Sequence, residues 1–95
     1  MHASIWRFHG DPDELLRAYD AMAAEIPSAN MKLHLCLRAP DGIIVVDTCP
    51  TKEAFLAFAL GRAQLARFGL PEPEIDDFPV HVAFVAGQPA ANADG

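Results

Sequence analysis

A chain of 95 residues, 52% of them hydrophobic and 21% charged, makes one ordered globular domain and excludes a disordered one. A domain this small buries only about 60–65% of its unfolded surface, so its core is thin. A net charge of −6 disfavours nucleic acid as a partner, because binding to phosphates draws its free energy from Lys and Arg.

No apolar run approaches the ~20 residues that cross a bilayer, and Met1 to Arg7 lacks the basic and apolar regions of a signal peptide. A cytoplasmic protein with no membrane partner is expected. Residues 3–9 alternate as a strand and stop at Gly10. Asp11-Pro12-Asp13-Glu14 then opens a helix: Asp11 accepts from orphan amides, Pro12 suits the first helical position, and the acids favour the positive helix end. Leu15, Tyr19, Met22 and Ile26 follow at helical spacing with Leu16, Ala18 and Ala23 beside them, and Pro27 ends the element.

Residues 31–38 set Met31, Leu33, Leu35 and Leu37 against Lys32, His34, Cys36 and Arg38, a strand with one fully apolar face. Ala39-Pro40-Asp41-Gly42 is a turn, and residues 43–49 return as a strand that is apolar on both faces until Asp47. Two registers compete. A three-residue Pro-Asp-Gly loop with a bulge pairs Leu35 with Asp47, whereas alternation sets His34 opposite Asp47 and Leu35 beside Val46. One slip decides whether Asp47 orients His34 or lies on the helix-facing side.

Thr51 caps a second helix over residues 52–68, carrying Phe55, Phe58, Ala59, Arg62 and Leu65 at helical spacing, with Gly69 as its C-terminal cap. Phe55 and Phe58 read as core. Residues 70–79, with three prolines and four acids, read as a loop; residues 80–86 read as the last strand and residues 88–95 as a flexible C-terminal tail beyond a single domain of residues 1–87. Cys36 and Cys49 lie in apolar strands and read as buried free thiols; Lys32 or Arg38 would have to lower the Cys36 pKa for it to react.

Strand, helix, strand, strand, helix, strand is the ferredoxin-like α+β pattern: a four-stranded antiparallel sheet with two helices on one face. The uncovered face then carries Val and Ile from the third and fourth strands, each forgoing about 1.5–3 kcal/mol in water. A homodimer packed sheet against sheet solves this, so the chain's expected partner is itself.

In order and in two local features, residues 3–86 resemble the dimeric α/β-barrel superfamily that includes antibiotic-biosynthesis-type monooxygenases. The features are Gly10-Asp11-Pro12-Asp13-Glu14 and the strand-to-helix passage from Asp47 to Phe55. Family members often carry a Trp-Glu-Ser-like sequence at that passage, where this chain has Cys49-Pro50-Thr51. The Asn and His of the haem-degrading branch have no counterpart here. The resemblance implies a cofactor-independent enzyme on an aromatic or polyketide-like substrate, of monooxygenase or isomerase type.

The polar residues within the strands are the candidate site. His34, Cys36 and Arg38 share one face of the second strand, and Arg7 and His9 share one face of the first. His81 and Asp47 stand near them under a suitable register. His34, His81 and Asp47 are the candidates for general acid and base work; as structural residues they would instead be satisfied histidines on a partly solvated, dimer-facing surface. Trp6, Arg7, His9 and Arg62 are the candidate ligand-binding residues. Trp6 reads as core or interface ahead of stacking platform, and Arg62 either snorkels at the rim or anchors an anion. No cofactor is expected, and no metal, because His9, His34 and His81 have no ligand spacing. The reading is a dimer binding a small apolar or aromatic ligand between sheet and helices, with the enzyme as its alternative.

Overall fold

The computed structural model describes residues 1–25, 33–85 and 88–89. Strand β1 (His2–His9) is followed by helix α1 (Pro12–Ala23), strands β2 (His34–Ala39) and β3 (Gly42–Cys49), and helix α2 (Lys52–Leu60). A 3-10 helix (Arg62–Phe68), strand β4 (Glu74–Pro79) and a short pair, β5 (Phe84–Val85) and β6 (Gln88–Pro89), complete it. The first four strands form one antiparallel sheet in the order β2-β3-β1-β4, and the fold class is α+β.

Both α-helices start where their capping chemistry places them. The Asp11 carboxylate accepts from the Glu14 amide at 3.0 Å with Pro12 at the first turn, and Thr51 Oγ1 accepts from the Ala54 amide at 3.1 Å. Leu15 and Met22 of α1 and Phe55 of α2 turn onto one face of the sheet. There they join Trp6, Phe8, Ile43, Val45 and Leu70 in a single core. The proposed Ile26 and Pro27 at the end of the first helix, and Met31 and Lys32 of the second strand, lie outside the described residues.

The second helix does not run unbroken to Phe68. It stops at Leu60, and after Gly61 the chain tightens into the 3-10 turns of Arg62–Phe68. Glycine is the poorest helix former after proline, and here it sits where a continuous helix would need its middle. Gly69, at φ 92°, then closes the segment in the left-handed conformation, with its amide bonded to Ala66 O and that of Leu70 to Leu65 O. Phe58, expected in the core, is 48% exposed.

The fourth strand is a correction. It occupies Glu74–Pro79, inside the segment expected to be a loop, and residues 80–86 do not supply it. The acids misled because they alternate with a purpose: Glu74 and Asp76 share the open face with Arg7 and His9, while Ile75 packs on the core and Asp77 turns inward to His2. Pro79 is tolerated because it ends a sheet-edge strand. Of the apolar run that follows, Phe84 and Val85 pair with Pro89 and Gln88 in the small hairpin, and Ala86 lies outside the described residues. Gln88 and Pro89, placed in the tail by the sequence, are therefore paired; residues 90–95 lie outside the described residues.

The register of β2 on β3 sets His34 opposite Asp47 and Leu35 opposite Val46, with Ala39 opposite Gly42. Alternation prevails over the bulged three-residue loop, and the turn is closed by Pro40 and Asp41 alone. Gly42 is required there for space. A Cβ at this position would lie 1.9 Å from the Phe8 carbonyl oxygen, where β3 meets β1.

Candidate functional site

Register places a row of polar side chains across the helix-facing side of the sheet: His34, Asp47, Ser4 and Asp77 lie side by side on β2, β3, β1 and β4. Each finds a partner. Ser4 accepts from Trp6 Nε1 at 2.8 Å, and Asp77 pairs with His2 Nε2 at 2.6 Å while the His2 ring lies against Phe55. Asp47 Oδ1 accepts from the Thr48 amide at 2.9 Å and stands 3.3 Å from His34 Nδ1.

His34 is held from the other side by Tyr19 of α1, whose ring stacks on the imidazole at 5.9 Å and 17° and whose hydroxyl meets Nε2. A carboxylate only accepts, so the nitrogen facing Asp47 carries the proton, and Nε2 accepts from the Tyr19 hydroxyl. Burial pushes the Tyr19 phenol above its usual range, and the negative charges around it, Asp47 among them, add to this. Tyr19 therefore remains a donor. His34 Nδ1 is enclosed, yet among the described residues it has no hydrogen-bond partner of good geometry.

The His34 and Asp47 part of this row lies at the inner end of a cleft between the sheet and the helices. The outer lobe, about 380 Å³, is walled by Trp6, Met22, Ala57, Phe58, Leu65 and Phe68, with Glu25, Arg62, Gln64 and Arg67 around its mouth. An inner lobe of about 30 Å³ shares Trp6, Met22, Phe58 and Leu65 with the outer one and reaches His34 and Asp47. Walls of aromatic and aliphatic carbon with a few convergent polar groups are the usual make-up of a small-molecule site.

The sequence-derived candidates divide by face. His34 and Asp47 come together on the helix-facing side, so the two alternatives set for Asp47 hold at once: it faces the helices and it pairs with His34. His34 is not on the open face of the sheet; Leu35 and Leu37 are. His81 lies exposed beyond β4, at the far edge from β2, and β2 and β4 are about 14 Å apart across three strand spacings. Trp6 is core, and its ring also floors the cleft. Arg7 bonds Asp76 at 2.6 Å and His9 bonds Glu74, both on the opposite face of the sheet from the cleft. Arg62 is at the cleft mouth, donating to Glu72 at 2.9 Å and to Ala59 O at 2.9 Å.

Cys36 shares the His34 face of β2, but Arg38 is drawn away to Asp13 at 2.7 Å, and burial raises both the Cys36 and the Cys49 thiol above the ordinary range. Neither is an activated nucleophile. Tyr19, Ser4, His2 and Asp77 are the site residues that sequence reading missed. A tyrosine in the inward stripe of a helix carried a signal, since a buried phenol needs a polar partner.

Among the described residues no three His, Cys, Asp or Glu side chains converge as a metal site, and no helix is long and apolar enough to cross a membrane. No family model matches the chain, and no curated protein matches it.

Proposed function

We propose that this protein is a small-molecule-binding subunit that takes an apolar or aromatic ligand into the cleft between sheet and helices. The observation that carries the reading is the cleft itself: apolar walls around Trp6 that converge on the His34–Asp47 pair. Indane, a compact apolar bicycle, tests it by thermal shift. Saturation at 100 times its dissociation constant stabilises a folded protein by about 2.7 kcal/mol. Ala57→Trp, which fills the exposed mouth, abolishes that response while leaving the unliganded melt near wild type. An unshifted melt with indane and related bicycles refutes the reading.

The same proposal assigns the domain to the ferredoxin-like fold and the dimeric α/β-barrel arrangement. The strand order β2-β3-β1-β4 with both α-helices on one face supports the first. The open face supports the second: Leu35, Leu37 and Phe78 are 45%, 43% and 57% exposed beside Ile5, Ile44 and Val46. A second copy is the fitting occupant, since the Arg7, Asp76 and Glu74 charges that rim this face on one copy complement the same charges on the other. The free thiols support a reducing, cytoplasmic location.

A second reading, cofactor-independent proton-transfer chemistry, is favoured by the Tyr19–His34–Asp47 chain at the cleft end. In it His34 is the base and Asp47 its orienting carboxylate. His34→Gln then removes turnover of a carbon-acid substrate while retaining binding.

A further inference from the structure

A ligand in the cleft meets carbon at the inner end and charge at the mouth. His34 and Asp47 close the inner lobe, but they face each other at 3.3 Å and His34 Nδ1 is enclosed. The surface left to a ligand there is that of Trp6, Phe8, Val45 and Phe58. A polar group pushed to that end would give up water with little in return. Any polar group of the ligand therefore belongs at the outer end.

The mouth fixes its sign. Two of the chain's seven basic residues, Arg62 and Arg67, line the outer lobe with a single acid, Glu25, although the chain carries a net charge of −6. Both guanidinium groups are held at the rim. Arg62 donates from Nε to Glu72 at 2.9 Å and from Nη1 to Ala59 O at 2.9 Å, which leaves Nη2 without a partner among the described residues. Arg67 lies 4.8 Å over the ring of Phe68, itself a wall of the lobe, and stands 3.6 Å from Glu25, beyond hydrogen-bond distance. The two acids are weak competitors: the side chains of Glu72 and Glu25 are 71% and 61% exposed, and ion pairs so open to water hold loosely.

Resting on the reading of the cleft as a ligand site, we propose that its ligand is a compact aromatic acid. A flat apolar body sits among Trp6, Phe58 and Phe68, with one carboxylate turned outward to Arg62 and Arg67. The planar guanidinium forks match a carboxylate in shape as well as in charge. At the mouth the carboxylate keeps part of its water, so the cost of burying an ion is avoided. An ammonium group in its place would face two cations.

Calorimetric titration of the wild-type protein with indane, indane-2-carboxylate and 2-aminoindane tests this. The expected order is the carboxylate about tenfold tighter than indane, through charge-assisted bonds to the arginines, with the amine weakest. Raising NaCl from about 0.05 M to about 1 M should erase most of the carboxylate's advantage, because the exposed charges are then screened. Arg62→Met combined with Arg67→Met should bring the carboxylate to the affinity of indane or below, with indane bound as before. Equal binding of indane and its carboxylate by the wild type overturns the acid and leaves the cleft reading standing. Tightest binding by the amine overturns it too, as does a carboxylate preference that persists in the folded double variant or, should that variant not fold, in the wild type at high salt. Binding of none of the three removes the cleft reading and the acid together.

Discussion

His34 makes sense only with the two groups that hold it. Tyr19 takes one nitrogen and Asp47 faces the other, so the ring is oriented without being packed into the apolar core. Tyr19→Phe deletes a hydrogen bond to a half-buried group and should cost about 0.5–1.5 kcal/mol in denaturant melts, while an unchanged melt would mean the contact is idle. The chain has one tyrosine, so its ionisation can be followed by tyrosinate absorbance. Because the folded-state pKa is raised, the protonated form is favoured by folding. Its contribution is full below the unfolded value of about 10 and declines as pH climbs from there through the folded value. Titration at the free-tyrosine value would refute the enclosed environment. The thiols follow the same sign: Cys36 and Cys49, with pKa values raised by burial, should alkylate more slowly at pH 8 than in the unfolded chain.

Capping and close approach govern the elements. Asp11→Ala removes the acceptor for the Glu14 amide and should destabilise by about 0.5–2 kcal/mol. Gly42→Ala drives a methyl into the Phe8 carbonyl and should cost about 1–3 kcal/mol as β1 and β3 are forced apart. Wild-type stability in that variant would contradict the β1–β3 register. β4 shows where local rules fail. Prolines and acids read as a loop because propensity treats each residue alone, whereas Asp77 is an inward strand residue satisfied by His2 and Asp76 an outward one satisfied by Arg7. His2 and Asp77 are 75 positions apart in the chain, and Arg7 and Asp76 are 69 apart.

For the molecule as a whole the decisive surface is the open face of the sheet. Leu35 and Leu37 alternate with His34 and Cys36, and it is the leucines that face outward. Light scattering at micromolar concentration should give about twice the chain mass, and Leu35→Glu with Leu37→Glu should return the chain mass while preserving the far-UV spectrum. A wild-type monomer would overturn the dimer. Exposed apolar patches of this kind are rare on soluble monomers.

The order of the first five elements, both helix N-caps and the turn before β3 were all legible, because each rests on interactions within a few residues of sequence. So was the choice to test His34 and Asp47, though only as two residues awaiting a register. What the tertiary structure alone decided is which face each strand shows to the helices, where the edge strand lies, and that Tyr19 reaches His34. Those outcomes depend on partners brought together across the sheet. Alternation states that a strand has two faces, but which one is buried follows from the volume and hydrogen bonds available on the far side: a histidine can be turned inward beneath Tyr19 and beside Asp47, and two leucines are then left outside.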